Sequence, residues 1–185
     1  MLDVNDAPTV DLDSSAVGLD YTTDYVVGSS PVAIVNVGNS SIADVDNPIE
    51  QLTVTLTNFD PMEAIGDATS TLPITKVFDP VNGVITFIKD GPATNDHFQV
   101  LLDSLTYSNT DTSATGSRTL TIVANDGTAD SMIATTTVNF VNNEPSVDLN
   151  GAATGEDVSV TFTDCLLYTS PSPRDLSTSR MPSSA

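Results

Sequence analysis

Four segments of the chain alternate apolar and polar residues with a period of two. They read QLTVTLTNF (51–59), GVITFIKDG (83–91), RTLTIVAND (118–126) and SMIATTTVNFV (131–141). Shorter segments near the N-terminus carry the same signal: TVDLD (9–13), DYTTDYVV (20–27) and PVAIVNV (31–37). Because successive side chains of a strand point to opposite faces, each segment is predicted to be a half-buried strand. About seven such strands, separated by Asn, Asp, Gly and Pro, predict an all-β fold, an antiparallel Greek-key β-sandwich.

One segment follows a helical period instead. In TNDHFQVLLDSL (94–105), Phe98, Leu101, Leu102 and Leu105 recur at helical spacing behind a Thr-Asn-Asp cap. A single short helix is therefore predicted to cross the sandwich, in a structural role. His97, the only histidine, falls on its polar side, and we interpret it as neither a metal ligand nor a base.

The opening of the chain returns near its end. VNDAPTVDLDSSAVGLDYTTDY (4–25) aligns without a gap with VNNEPSVDLNGAATGEDVSVTF (141–162), at an offset of 137 residues. One whole repeat and the start of another are therefore predicted. After Asp164, however, nothing resembles the VVGSSPVAIVNV (26–37) that continues the first copy.

Residues 165–185 differ in character from the rest of the chain. They contain the only Cys, and adapter and primer sequences of a sequencing library, read in one frame, can encode them. We interpret them as translated adapter; the alternative is a disordered Ser/Pro-rich tail. The predicted organisation is an inter-repeat linker over 1–7, one repeat over 8–143, the truncated start of the next repeat over 144–164, and an adapter-derived, disordered segment over 165–185.

Charge narrows the classes of partner. The chain has 25 acidic and 5 basic residues, a formal net charge of −20, which repels nucleic acid and anionic membranes and attracts cations. Of the acids, 21 are Asp, which is typical of turns and of oxygen cages for hard cations. No apolar run approaches the roughly 20 residues that span a bilayer, and Met1 does not open a basic and apolar leader, so neither a membrane anchor nor a signal peptide is predicted.

Three short motifs occur in a characteristic order: DVNDAP (3–8), DVD (44–46) within SIADVDNP, and VANDGTADS (123–131). Together they resemble the DxND, DxD and AxDxG motifs of cadherins. Across residues 3–164 the amino-acid sequence most closely resembles the cadherin-like tandem repeats of large bacterial surface proteins. The resemblance implies an immunoglobulin- or cadherin-like sandwich that forms one unit of a tandem array.

The resemblance also implies a cofactor, Ca²⁺. In cadherins the linker acids, the DxD pair and the Asp of AxDxG meet at one end of the domain and bind calcium between successive domains. The ligands carried over by motif are Asp3, Asn5, Asp6, Asp44, Asp46 and Asp126. The physical reason is that converging carboxylates repel one another, and a hard cation with six to eight oxygen ligands relieves that repulsion.

The sequence departs from the family pattern in two places. The second linker, FVNNEP (140–145), lacks the first Asp of DxND and has Asn for the second, so a weak or empty site is expected there. LLDSLTYSN (101–109) has Asp103 but not the Arg-Glu of the family's LDRE segment, so one or two ions per junction are expected.

A second interpretation of the acids stays open. DVNDAP can be a Pro-rigidified linker and DVDNP an Asx-type turn, both solvated. The acids of the first strands are interpreted as solvated strand-end charges rather than ligands: Asp11, Asp13, Asp20 and Asp24.

Catalysis has little support, since the chain has no G-x-S-x-G elbow, no His cluster and no phosphate-binding glycine loop, and it is predicted not to be an enzyme. The predicted function is a calcium-binding, cadherin-like repeat, a stiffened spacer or adhesive unit of a large bacterial cell-surface or secreted protein. Its predicted partners are neighbouring repeats of the same chain, with a cell-surface protein or glycan as further candidates and without nucleic acid or direct membrane insertion. The expected location is extracellular or at the cell surface. The alternatives are a carbohydrate-binding β-sandwich module, which a row of exposed aromatics would favour, and an accessory domain of a secreted enzyme.

Overall fold

Strands account for most of the regular structure in residues 4–141, the part of the chain that the computed structural model describes. The eleven strands are β1 (Thr9–Asp11), β2 (Tyr21–Val26), β3 (Val32–Ala33), β4 (Ser41–Ala43), β5 (Gln51–Leu56), β6 (Glu63–Gly66), β7 (Ile74–Asp79), β8 (Val84–Lys89), β9 (Thr106–Asn109), β10 (Ser117–Asn125) and β11 (Ala134–Val141). One α-helix, α1 (Asn95–Ser104), and a 3₁₀ turn (Thr69–Thr71) complete the elements. The predicted mainly β chain with one short helix is confirmed.

The strands form three sheets within the described residues. Their orders are β1-β4, β2-β11-β10-β5-β8-β7 and β3-β9-β6. The chain divides into two units, Met1–Asn143 and Glu144–Ala185. The second unit, with the predicted truncated repeat and adapter-like segment, lies outside the described residues, and the domain organisation stays a prediction.

Each of the seven alternating segments contains a strand, but four strands have no counterpart in the sequence interpretation. They are β4, β6, β7 and β9. The reason is local: β4 has only three residues, and β7 exposes four of its six residues, so neither presents a clear apolar stripe. In β6 the inward position at its start is occupied by Glu63, which breaks the expected pattern.

Strand direction differs from the prediction at one place. Every other neighbouring pair is antiparallel, but β2 and β11 run parallel, in a register from Tyr21 beside Thr136 to Val26 beside Val141. The prediction of a purely antiparallel arrangement is therefore wrong for this pair. Alternation reports which face of a strand is buried and carries no information about its direction.

One buried apolar cluster joins the elements. It takes Leu52 and Val54 from β5, Ile65 from β6 and Tyr107 from β9, together with the predicted apolar face of α1. All four predicted apolar residues of the helical segment are fully buried: Phe98, Leu101, Leu102 and Leu105. Each such burial contributes about 1.5–3 kcal/mol relative to an exposed side chain, so the helix is stabilised by this contact with the core.

His97 completes the first turn of α1. Its Nδ1 accepts a hydrogen bond from the backbone N–H of Thr94, at 3.1 Å, and the Thr94 hydroxyl lies 2.9 Å from the same nitrogen. One of the amide groups that a helix start leaves without a partner is thereby satisfied. His97 therefore acts as a capping residue of α1.

A buried polar network links the six-stranded and three-stranded sheets. The Glu63 carboxylate accepts hydrogen bonds from Arg118 Nε and, at 2.6 Å, from the Tyr107 hydroxyl. The Tyr25 hydroxyl donates to the backbone oxygen of Asn109 at 2.9 Å. Burial raises the pKa of the Tyr107 hydroxyl, and the neighbouring Glu63 carboxylate raises it further. The network links the two sheets through polar groups that would cost free energy if they stayed buried without their partners.

Candidate functional site

Three segments of the chain meet at one end of the six-stranded sheet. Because β1 and β4 are antiparallel, with Thr9 beside Ala43, the linker before β1 lies next to the loop after β4. The connection from β10 to β11 carries Asp126 and reaches the same place. We call this group of side chains the acidic loop cluster; its members are Asn5, Asp6, Asp44, Asp46, Asn47 and Asp126.

Hydrogen bonds tie the linker to both loops. Asn5 Nδ2 donates to Asp126 Oδ2 at 2.9 Å, and Asn47 Nδ2 donates to Asn5 Oδ1 at 2.6 Å. The backbone N–H of Asp6 donates to Asp46 Oδ2 at 3.2 Å. Five of the six predicted ligands are thus brought together, while Asp3 lies outside the described residues.

Two of the acids each use one oxygen to form their own turn. Asp44 Oδ1 accepts from the backbone N–H groups of Asp46 and Asn47, at 3.0 and 2.9 Å. Asp126 Oδ1 accepts from the N–H groups of Thr128 and Ala129, at 2.6 and 2.7 Å. Both are Asx-type turns, so the alternative interpretation from the sequence describes part of the geometry correctly.

The second oxygen of Asp44 has no such role. Asp44 Oδ2 is buried and has no hydrogen-bond partner among the described residues. A carboxylate oxygen removed from water without a partner costs free energy, and a cation is one group that would satisfy it. This oxygen is the feature of the cluster that fits a bound calcium ion, since carboxylate and amide oxygens are the ligands that Ca²⁺ takes.

The electrostatics of the cluster are those of crowded carboxylates. The backbone N–H of Asp6 lowers the pKa of Asp46, but burial, the contact with the Asp44 side chain, and the charges of Asp44 and Asp6 outweigh it, so the pKa is raised overall. The pKa of Asp126 is lowered, first by the N–H of Ala129 and then by Asn5 and Thr128, against an opposing effect of burial. A divalent cation would relieve the repulsion that raises the pKa of Asp46.

The described carboxylates do not form a finished cage by themselves. Within residues 4–141 no group of three or more His, Cys, Asp or Glu side chains is close enough together to bind a metal ion. The predicted ligand set also draws on an amide, Asn5, and on Asp3, which lies outside that range. The set of six ligands stays a prediction.

Asn47 is a member of the cluster that the sequence interpretation missed. It bonds Asn5 and lines an open cleft of about 370 Å³ between the loop Asp44–Pro48 and the start of α1. Its position directly after the DxD motif is the sequence feature that indicates it. Asn95, in the same cleft, is already occupied: its Oδ1 accepts from the N–H of Ile49 at 2.8 Å.

The remaining early acids serve as hydrogen-bond acceptors of turns and strands. Asp13 accepts from Ser15 and Asn36, Asp20 accepts from the N–H of Thr135, and Asp24 accepts from Asn139. None of these contacts lies in the acidic loop cluster. Asp103 bonds Ser40 and Gln99 and so fixes α1 beside β4.

Within residues 4–141 no basic side chain forms an ion pair with the cluster. The three basic residues of the described range are each paired elsewhere: Lys76 with Asp67 and Lys89 with Glu50, both at 2.6 Å, and Arg118 with Glu63. The attraction of this end of the molecule for cations is therefore not offset by a neighbouring positive charge.

The fold and this cluster define a mainly β protein whose linker and loops bring acidic and amide oxygens to one end. No helix in residues 4–141 has the length and apolar character needed to cross a membrane. No family model matches the chain, and no curated protein matches it. The resemblance to cadherin-like repeats thus rests on the sequence motifs.

Proposed function

We propose that the chain contains a calcium-binding, cadherin-like repeat that acts as a stiffened spacer or adhesive unit of a large bacterial cell-surface or secreted protein. The observation that carries the proposal is the buried Asp44 Oδ2 of the acidic loop cluster, which has no hydrogen-bond partner among residues 4–141. Asp6 of the linker and Asp46 of the loop stand beside it and repel each other. A calcium ion would be a partner for Asp44 Oδ2 and would also relieve the repulsion between Asp6 and Asp46.

The fold belonging to this proposal is an immunoglobulin- or cadherin-like Greek-key sandwich. It is supported by the single buried cluster, to which both the six-stranded and the three-stranded sheets contribute side chains. The cross-sheet bonds Arg118–Glu63 and Tyr25–Asn109 support it as well. Packing of two sheets through their inner faces is the arrangement that defines a sandwich.

Calcium in this cluster would stiffen the junction between repeats. Asp6 belongs to the linker, whereas Asp44, Asp46 and Asp126 belong to loops of the folded unit. An ion shared by both groups would restrict rotation of the linker relative to the loops. Neighbouring repeats of the same chain are accordingly the first partners that we propose.

Thermal unfolding with and without calcium tests the proposal. If calcium is present at 100 times its dissociation constant and binds only the folded state, it contributes about 2.7 kcal/mol, so the melting temperature rises clearly. The reference sample contains chelator and enough sodium chloride to match the ionic screening of the net charge of −20. A calcium shift beyond the sodium shift is the expected result.

A matched pair of variants locates the effect. Asp44→Asn with Asp46→Asn removes two charges from the cluster and should abolish the calcium-specific shift. Asp24→Asn with Asp60→Asn removes the same charge from exposed positions on a strand and a loop away from the cluster and should retain it. If the first variant keeps the full shift, the assigned ligands are wrong; if the wild type shows no calcium-specific shift, the solvated-acid interpretation is correct.

Binding of glycans has less support. Of the aromatic side chains in residues 4–141, only Phe78 is substantially exposed, at 44%, so this range has no row of exposed aromatics on one sheet face. Such a row was the feature expected of a carbohydrate-binding module. We therefore do not propose glycan binding by this face.

A further inference from the structure

The first long strand and the last strand of the described chain are neighbours in the same sheet. β2 and β11 pair in parallel over six register positions, from Tyr21 beside Thr136 to Val26 beside Val141. They are the only parallel neighbours in residues 4–141. This pairing joins the segment through which the chain enters the six-stranded sheet to the segment through which it leaves.

The chain enters and leaves at opposite ends of that sheet. β2 begins at the end that carries the acidic loop cluster, because Tyr21 lies beside Thr136, soon after the β10–β11 connection. β11 finishes at the other end, where the N–H of Phe140 donates to the oxygen of Gly116, just before β10 begins. A pull on the two ends of the chain therefore acts along the axes of these strands, in opposite directions.

We propose that the β2–β11 pair is the force-bearing clamp of this unit. Tension applied through the chain ends draws β2 toward its own start and β11 toward its own finish, so the two strands are sheared past each other. In a parallel ladder the hydrogen bonds are evenly spaced along the strands, and shear loads all of them together. A pull that peels the strands apart would load them one at a time.

Further bonds reinforce the same pair. At its start the N–H of Thr135 donates to Asp20 Oδ1 at 2.7 Å, and at its finish the N–H of Val27 donates to the oxygen of Val141 at 3.0 Å. Between them Asn139 Nδ2 donates to Asp24 Oδ1 at 3.1 Å. The ladder is therefore closed by additional contacts at both ends and within its length.

β2 is also anchored to the three-stranded sheet. The buried Tyr25 hydroxyl donates to the oxygen of Asn109 at 2.9 Å and accepts from the Asn109 N–H at 3.2 Å. The preceding strand offers less resistance, since β1 pairs with β4 over only three positions. Loss of β1 would leave the β2–β11 ladder intact, so the load would then fall on that ladder.

Stretching one chain in two directions tests the clamp. The full chain with Ser30→Cys and Cys165→Ser is held either by its N- and C-termini or by Cys at position 30 and the C-terminus, in chelator throughout. Ser30 is exposed and follows β2 closely, so the second attachment peels β2 from β11 beginning at Val26 and Val141. Both measurements use the same molecule with the same free energy of unfolding, and only the direction of force differs.

We expect the unfolding force to be several-fold higher for the terminal attachment. Equal forces in the two directions would overturn the proposal. The inference rests on the proposed spacer role only for the assumption that load arrives through the chain ends. Because chelator is present, the comparison does not depend on the calcium site; a calcium effect on either force tests that site separately.

A charge exchange provides a second test within the pair. Asn139→Asp places two carboxylates opposite each other, at a contact that is now 3.1 Å long, and should lower the force for terminal attachment. Adding Asp24→Asn restores one carboxylate and one amide in exchanged positions and should restore the force. If the double variant stays as weak as the single variant, or if the single variant is as strong as the wild type, this contact does not bear load.

Discussion

Glu63 and Arg118 form an ion pair that joins the two larger sheets. The Glu63 side chain is fully buried, and that of Arg118 is 18% exposed. A buried pair of this kind adds little net stability compared with an apolar replacement, but removal of one partner leaves a buried charge without compensation. Replacing Arg118 alone should therefore lower the free energy of unfolding more than replacing both Arg118 and Glu63.

Arg118→Met is expected to lower the free energy of unfolding by about 3 kcal/mol, because Glu63 then keeps a buried charge with only the Tyr107 hydroxyl and a backbone N–H as partners. The double variant with Glu63→Gln should lose less, since the amide retains an acceptor for Tyr107 without the charge. Urea unfolding of the two variants measures the difference. A double variant that is less stable than Arg118→Met would contradict this account.

The hairpin that joins β7 to β8 depends on a close approach of two backbones. Gly83 has a φ of +64°, and its carbonyl oxygen accepts from the N–H of Leu56 at 2.9 Å. A Cβ at this position would lie 2.3 Å from Phe59 Cβ. Glycine is needed both for the backbone conformation and for the space it leaves.

Gly83→Ala should therefore destabilise the protein more than Gly91→Ala. Gly91 also has a positive φ, +54°, but an added Cβ would meet nothing within 4 Å. The left-handed conformation costs alanine about 1–2 kcal/mol at either position. Overpacking against Phe59 should add about 1–3 kcal/mol at Gly83 alone. Equal losses in chemical denaturation would show that Phe59 moves aside without cost.

The whole molecule combines an excess of acids with many carboxylates that are bonded in the native state. The Ser15 side chain lowers the pKa of Asp13, Asn82 lowers that of Asp79, and Ser113 lowers that of Asp111, in each case below the ordinary 3.8. A lowered native pKa means that the unfolded state binds protons more readily. The stability contributed by these acids is complete well above 3.8 and is lost as the pH falls through the native values.

Acidification should thus reduce the free energy of unfolding progressively below about pH 5, in the direction that linkage requires. Asp46 acts in the opposite sense, since its pKa is raised and its protonation relieves repulsion. Asp79→Asn should flatten part of the pH dependence, whereas Asp46→Asn should stabilise the calcium-free protein at neutral pH. Urea unfolding from pH 7 to about pH 3 measures the effect of each variant. A wild-type free energy of unfolding that does not change over this range would contradict the lowered native pKa values.

A chain that ends at Asn143 should unfold cooperatively and retain most of the stability. The unit Met1–Asn143 contains the eleven strands and the buried apolar cluster described above, which together form a full set of paired strands. Amide exchange of the full chain gives the same information, because β10 should be protected far more strongly than residues 147–162. Equal protection in the two ranges would contradict the predicted boundary.

At the site, sequence motifs anticipated which residues come together but not how they bond. The cadherin-like motifs select Asp3, Asn5, Asp6, Asp44, Asp46 and Asp126. All of these except Asp3, which lies outside the described residues, lie in one cluster. The motifs do not predict the hydrogen bond of Asn47 to Asn5, nor that Asp44 Oδ2 has no hydrogen-bond partner within residues 4–141. Both depend on which side-chain atom faces a neighbouring loop, and the loops approach each other only after β1 and β4 have paired.

The sequence by itself determined the mainly β class, seven of the strands and the buried face of α1, because these follow from local periods of two and 3.6 residues. Only the tertiary structure decided the parallel pairing of β2 with β11, the buried Glu63–Arg118 pair and the short strands β4 and β9. Each of these joins residues that are far apart in the chain. Their energies arise from contacts that exist only once the sheets have assembled, and a local pattern of polarity does not record them.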